Sequence, residues 1–325
     1  MKVLVTGATG FVGSHILDVL RARTIPTAIL LRSTSNTRFI GSEAPYFERS
    51  AGSVLEQSTL DKALEGITHV IHCAGCTKAS RYREYYEVNH IGTRNVVQAI
   101  NRASSVQRLV HISSLAVTGP ATPENPARED TPLRPISEYG KSKLAGEREV
   151  LEHCRVSCTI LRPPAVYGPR DTGFLSMFRA VKSHVLPRPN KRQALSVVFA
   201  RDLAEAIVTC LDMPIASGKV YLVASREVTT GRQIADQIAA QMKVHTMPLP
   251  LPAVLLWFVC LTQEIFCRIS GRATLLNMQK YAELRAPGWV CDPSLWEREI
   301  GTRCATTLEN GIAQTLEWYR REQWV

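Results

Sequence analysis

Tyr139-Gly140-Lys141-Ser142-Lys143 opens a helix-like stretch that continues through Leu144, Glu147 and Val150 to Leu151. Helix residues four apart share a face, so Tyr139 and Lys143 stand one turn apart on the same side. A phenol, with a reference pKa of about 10, is a poor base at neutral pH, and a neighbouring ammonium favours its phenolate. The pair suits passing a proton to or from a bound oxygen. The same spacing also describes an interfacial tyrosine beside a solvated lysine, and a third group has to choose between the two. Ser113-Ser114 follows directly on the strand-like run Arg108 to Ile112. A hydroxyl there points into the crevice that opens at the carboxyl ends of parallel strands.

A second constellation is Thr6-Gly7-Ala8-Thr9-Gly10-Phe11-Val12-Gly13, set between the first strand-like run and the first helical pattern. Gly7 permits a tight turn, Gly10 lets backbone N–H groups approach a pyrophosphate, and Gly13 lets the helix pack closely on the strand. The helix N-terminus adds partial positive charge at the phosphates. Glycines also end strands for conformational reasons alone, so the position between strand and helix carries the reading. Where a dinucleotide site usually has an acid for the ribose 2′-OH, this sequence has Arg32, followed by Ser33, Thr34, Ser35 and Arg38. Arginine cannot accept from a 2′-OH but pairs with a 2′-phosphate, so NADP(H) is expected over NAD(H). The Tyr139 proton would then accompany hydride transfer.

The elements around these residues alternate. Val3 to Thr6, Ala28 to Leu31, His69 to His72, Arg108 to Ser113 and Thr159 to Leu161 read as strands, and Phe11 to Arg21 and Ile91 to Ile100 as helices between them. This predicts an α/β fold, a doubly wound parallel Rossmann sheet with a smaller mixed α/β C-terminal substrate domain. At 325 residues the chain has room for about two domains. We expect residues 1–165 to form the dinucleotide-binding domain with 193–214 returning to it, and 166–192 and 215–325 to form the substrate domain. A helix is expected from Asp202, and a last one capped by Thr306 and Glu309 with Leu308, Ile312, Leu316 and Tyr319 on one stripe. Pro252 to Leu261 is unbroken apolar sequence, too short for a bilayer span of about 20 residues. It is expected to be a helix packed in the smaller domain, with membrane-surface docking or a lid over an apolar pocket as the other readings.

Lys and Arg total 39 against 29 Asp and Glu, a net charge of +10 that suits anionic ligands without naming one. The basic residues are scattered and lack an accompanying aromatic motif, so nucleic-acid binding is not expected. The nine cysteines form no even framework, and Cys73 and Cys76 have no second pair at zinc spacing, so no metal site is expected. With no leader before the first strand, a cytoplasmic setting is expected.

Taken together, these segments resemble the extended short-chain dehydrogenase/reductases, a group often called the NAD-dependent epimerase/dehydratase family. The resemblance is carried by TGATGFVG at 6–13, HCAG at 72–75, Val88 to Asn95, SSLAVTG at 113–119, YGKSK at 139–143 and LRPPAVYGP at 161–169. It implies a catalytic set of Ser114, Tyr139 and Lys143, the spacing to Gly119 selecting Ser114 over Ser113, with Lys143 also binding the nicotinamide ribose. It further implies that Ala74 and Gly75 line the phosphate and ribose side, that Pro164, Ala165 and Val166 approach the carboxamide, and that Asn89 supports the active-site helices. A homodimer built from two helices per subunit is expected on the same ground.

Three departures from the family pattern matter. Gly52-Ser53 replaces the usual Gly-Asp, leaving the adenine to Ser53 and backbone near Val54. Leu195 and Phe199 stand where nucleotide-sugar epimerases carry a phosphate-gripping arginine and a histidine; Arg170, Arg179, Arg188 or Arg192 would have to substitute. No acid inside the SLAVTG turn supports a dehydratase. The expected function is an NAD(P)-dependent oxidoreductase acting on a secondary alcohol or ketone of a fairly apolar small molecule. A nucleotide-sugar epimerase with tightly bound cofactor is the alternative, and a silent cofactor-binding subunit is the reading from another class.

Overall fold

Short β-branched runs without charges on either face can be satisfied only if both faces of a sheet are covered. In the computed structural model, which describes residues 1–40, 46–189, 193–270, 274 and 277–325, they are. Strands β1 (Val3–Thr6), β2 (Thr27–Leu31), β3 (Glu48–Ala51), β4 (His69–His72), β5 (Arg108–Ile112), β6 (Ser157–Arg162) and β10 (Lys219–Leu222) form one seven-stranded sheet in the order β10-β6-β5-β4-β1-β2-β3. All six pairings are parallel, with Val3 opposite both Thr27 and His69.

Alternate residues of each strand feed different cores. Val3, Val5 and Ile71 pack with α1 (Phe11–Ala22) and α7 (Ala200–Thr209) on one side. Leu4, Val70 and Leu109 pack on the other with α2 (Gln57–Ala63), α4 (Thr93–Arg102) and α5 (Glu138–His153). That two-sided alternation is the period of a strand buried twice. Between β4 and α4 lie α3 (Tyr82–Tyr86) and a π-helical turn at Glu87–Gly92.

The rest builds a smaller body. β7 (Ala165–Tyr167), β9 (Ala194–Phe199), β11 (Val228–Thr230) and β13 (Gly288–Trp289) make a second sheet centred on β9. α6 (Leu175–Lys182), α8 (Gly231–Met242) and α12 (Leu308–Arg321) cover it, and β8 (Val185–Pro189) pairs with β12 (Met247–Leu251) as a separate ribbon. Within 193–214, α7 packs on the main sheet whereas β9 joins the smaller one; β10, from the later span, closes the edge of the main sheet. Leu308, Ile312, Leu316 and Tyr319 are all buried on α12. The α12 cap is Thr307, accepting from the Asn310 N–H at 3.3 Å, one residue beyond the expected Thr306. Thr306 is drawn off by Asp202, which accepts from its N–H at 2.8 Å and its hydroxyl at 2.7 Å. α7 itself starts two residues before Asp202.

Pro252 to Leu261 enters a helix, as expected, but one packed on a single face. It lies in α9 (Ala253–Ser270), whose Leu256, Cys260 and Cys267 are buried while Val254, Leu255 and Phe258 are exposed. α10 (Met278–Arg285) and α11 (Ser294–Ile300) complete the helices. Among the described residues, no helix is long and apolar enough to cross a membrane.

α5 is tied to β6 by a fully buried ion pair: Arg162 Nε and Nη2 donate to the two carboxylate oxygens of Glu147 at 2.9 and 2.7 Å. Breaking one partner leaves a charge without water or counter-ion. Glu147→Gln is therefore expected to cost about 3–5 kcal/mol, read as a lowered urea midpoint at unchanged slope. A loss below about 1 kcal/mol would show that the pair does not hold this helix in place.

Candidate active site

The residues singled out from the sequence lie at the carboxyl ends of six adjacent strands. The glycine turn follows β1, Arg32 follows β2, Ser53 and Val54 follow β3, Ala74 and Gly75 follow β4, Ser113 and Ser114 follow β5, and Pro164 to Val166 follow β6. The chain order reverses between β1 and β4, and a crevice opens at such a switch point.

The glycine turn has the shape a pyrophosphate needs. Gly7 has φ +73°, and a Cβ on it would stand 2.6 Å from the Ala74 nitrogen; a Cβ on Gly13 would overlap the Gly7 carbonyl oxygen. Gly10 is the N-cap of α1, with no side-chain cap and no acid in the first turn. The N–H groups of that turn thus face the crevice without a competing carboxylate. Thr9 is half-buried in the loop, Phe11 lies edge-on to His15 at 5.6 Å, and Val12 packs against the core. Thr6 Oγ1 accepts from the Ala74 N–H at 3.2 Å, fixing the β1 turn to the β4 turn. These residues fit a dinucleotide.

On the β3 side, Thr59 holds the Ser53 N–H at 3.1 Å and Asn95 donates to the Val54 carbonyl at 3.0 Å. Arg32 is exposed, and its guanidinium has no ion-pair partner among the described residues. Arg38 is different: it lies 5.4 Å over the Trp324 ring and 3.5 Å from Glu322, at the far end of the chain.

Tyr139, Ser114 and Lys143 come together. Ser137 caps α5 by accepting from the Gly140 N–H, which sets Tyr139 in the first turn. Gly140 brings that turn against the Ala116 carbonyl, which a Cβ would approach to 2.7 Å. Tyr139 is hydrogen-bonded to Ser114, and Tyr85 stands edge-on to its ring at 6.0 Å. Ser113 is buried apart, its Oγ without a protein partner. Burial pushes the Tyr139 phenol up to about 12, the Ser114 hydrogen bond opposing that only in part. The Lys143 ammonium is held at the end of β5, donating to the Ile112 carbonyl at 2.6 Å.

Lys143 is buried, which lowers it to about 8 despite Cys73 and Glu147 nearby. Beneath it, His72 and His111 stack at 5.2 Å. Burial first and the Lys143 charge second bring His72 down to about 3 and lower His111 as well, so both rings are neutral. Asn89, fully buried, accepts from the Cys76 N–H at 2.8 Å and donates to the Cys76 carbonyl and the Ser142 hydroxyl, both at 3.0 Å. It pins the loop after β4 to the helix that bears Tyr139.

Sequence reasoning missed the wall opposite. Tyr86 donates to Glu138 at 2.9 Å, and the Glu138 N–H donates to Gln279 of α10. The run YREYY hinted at an aromatic wall, but nothing in the sequence brought α10 to it. Of the arginines that would replace a diphosphate clamp, Arg170 is paired with Asp18 at 2.7 Å and Arg179 points to the Trp324 carbonyl at 3.5 Å. The Arg188 side chain and Arg192 lie outside the described residues. Among those described, no cluster of side chains could hold a metal.

Residues 3–224 match the family described as the NAD dependent epimerase/dehydratase family. The chain is 28% identical to a UDP-glucose 4-epimerase of Vibrio cholerae over 335 residues, spanning 97% of this chain and 94% of that one. It is 27% identical to a ceramide reductase of Caulobacter vibrioides over 326 residues, 99% and 96% of the two chains. A Thermus thermophilus UDP-glucose 4-epimerase solved with NAD superposes with a TM-score of 0.79 at 23% identity, covering 98% and 99%, which speaks to the fold. With the parallel sheet, the glycine turn and two-thirds of its length matched, the chain belongs to the NAD-dependent epimerase/dehydratase family.

Proposed function

We propose that the protein is an NADP(H)-linked oxidoreductase acting on a secondary alcohol or ketone of a fairly apolar small molecule. The observation that carries this reading is a phenol beside the Ser114 hydroxyl in the first turn of α5, with a buried lysine one turn on held at the Ile112 carbonyl. The nicotinamide cofactor supplies or accepts the hydride at the carbonyl carbon. Ser114 donates to the substrate oxygen and holds it against Tyr139. Tyr139 gives that oxygen its proton in reduction, and the Lys143 ammonium, fixed at the Ile112 carbonyl, holds the nicotinamide ribose beside it.

Support for NADP(H) is the uncommitted Arg32 in place of an acid; Arg38, engaged at the C-terminus, does not contribute. Support for an apolar substrate is Leu195 where a diphosphate clamp would be and the engagement of Arg170 and Arg179 elsewhere. The ceramide reductase relative points the same way. Likeness to the Vibrio cholerae enzyme favours a second reading, an epimerase of a nucleotide sugar in which cofactor stays bound. A cytoplasmic homodimer belongs to the first proposal.

Three measurements test it. Tyr139→Phe is expected to lower NADPH-dependent ketone reduction about 10²–10⁴-fold while leaving NADPH binding by fluorescence unchanged; retained turnover would sink the mechanism. Arg32→Asp should weaken NADPH by about tenfold or more relative to NADH, and equal losses would exclude a 2′-phosphate contact. Because the ammonium of Lys143 is the useful form and titrates at about 8, kcat/KM for reduction should hold below that pH and fall above it. Cofactor that survives gel filtration and is released only on denaturation, without ketone turnover, would instead establish the epimerase reading.

A further inference from the structure

α9 carries an apolar face that the described residues leave uncovered. Val254, Leu255, Phe258, Ile265, Phe266 and Ile269 are 67, 50, 52, 48, 57 and 82% exposed. At about 100° per residue they fall, with Thr262, in one stripe about 120° wide along a helix about 27 Å long. No Asp, Glu, Lys or Arg occupies that stripe. Met247 and Leu249, on the strand leading into α9, extend the exposed apolar surface. Exposed apolar surface of this extent marks a binding face.

The opposite face of α9 fixes how the helix sits. Cys267 Sγ donates to the Ser80 carbonyl at 3.5 Å, Tyr82 donates to Glu264 at 3.5 Å, and the Met278 N–H donates to Glu264 at 3.0 Å. These contacts seat α9 on the start of α3 and on α10, the two elements beside Tyr139. Beside that seat Arg81, Tyr82 and Arg83 of the α3 start are exposed, as are Lys280 and Arg285 of α10. Glu87 and Glu283 pair with Arg83 and Lys280, while Arg81 and Arg285 have no ion-pair partner among the described residues. An uncharged apolar stripe, on a chain of net charge +10 whose Arg81 and Arg285 lie on the elements that seat it, matches a surface of anionic headgroups over acyl chains.

We propose that α9 docks the protein on the surface of an anionic phospholipid bilayer, apolar stripe inward, so that the crevice at Tyr139 opens beside the lipid that holds its substrate. The inference rests on the apolar-substrate reading above and goes beyond it by naming where that substrate is met. An anionic bilayer fits better than a second copy of the chain because a chain of net charge +10 is attracted to the one and repelled by the other.

The test is flotation of the full chain with vesicles of phosphatidylglycerol and phosphatidylcholine, and with phosphatidylcholine alone. The protein is expected to float with the mixed vesicles and about tenfold less with the neutral ones, and to be released by salt. The double variant Leu255→Glu, Phe266→Glu should lose about 100-fold in partitioning at unchanged melting temperature and unchanged reduction of a water-soluble ketone. Failure of the wild type to float overturns the proposal. So does a wild-type dimer that this variant dissociates in sedimentation, which would make the stripe a subunit contact. Flotation needs no turnover, so vesicle binding without ketone reduction would retain the docking site and reject the oxidoreductase reading.

Discussion

The helix that carries Tyr139 is held by ions and amides more than by hydrocarbon, and the geometry of the site follows from that. The buried residues of α5 are Gly140, Ser142, Lys143, Gly146, Glu147 and Val150. Each polar one has a directional partner: Ser142 with Asn89, Lys143 with the Ile112 carbonyl, Glu147 with Arg162. Apolar packing would tolerate a slide of an ångström; a bidentate guanidinium–carboxylate pair does not. Desolvating such groups makes them weak contributors to net stability but costly to separate, so their effect is to fix one register of helix on sheet. Gly146 permits the approach, since a Cβ there would overlap the Asn89 carbonyl oxygen.

Burial of a cation beneath the crevice then orders the electrostatics around it. Lys143 is lowered, yet keeps its ammonium at neutral pH, and its charge helps keep His72 and His111 neutral. A neutral imidazole pair beneath an ammonium adds no competing positive charge, and Thr6 and Thr93 satisfy His72 at 2.7 and 3.0 Å. Tyr139, its hydroxyl turned to Ser114, remains a protonated phenol. An acid of that kind serves the reductive direction directly, whereas the oxidative direction needs a further positive charge in the crevice to bring the phenolate within reach.

Much of this was legible in the sequence because it depends on local patterns. Parallel strands with two apolar faces announce themselves in runs such as Val3 to Thr6, and the glycine turn and the Tyr139–Lys143 spacing are written within a few residues. What escaped depends on distant partners. Arg38 reads as a candidate for a cofactor phosphate until Trp324 and Glu322, nearly three hundred residues later, are found against it. Thr306 reads as a helix cap until Asp202 takes its hydroxyl. Spacing sets Lys143 one turn from Tyr139 on α5, but the Ile112 carbonyl that holds its ammonium belongs to β5. The apolar run from Pro252 is the sharpest case: hydrophobicity predicts a helix that wants cover without saying which side receives it.

The net charge of +10 resolves into committed and uncommitted parts on the same logic. Arg162 lies under α5, Arg170 holds Asp18 of α1, Arg23 holds Glu205 of α7, and Arg102 holds Asp61 of α2. These cations bind elements of the fold to one another and are unavailable to a ligand. Arg32 sits apart at the end of β2, where a cofactor ribose would lie, and Arg81 and Arg285 sit beside α9. Leu195, where related sugar-nucleotide enzymes place a phosphate clamp, lies in β9 and packs into the core of the smaller body.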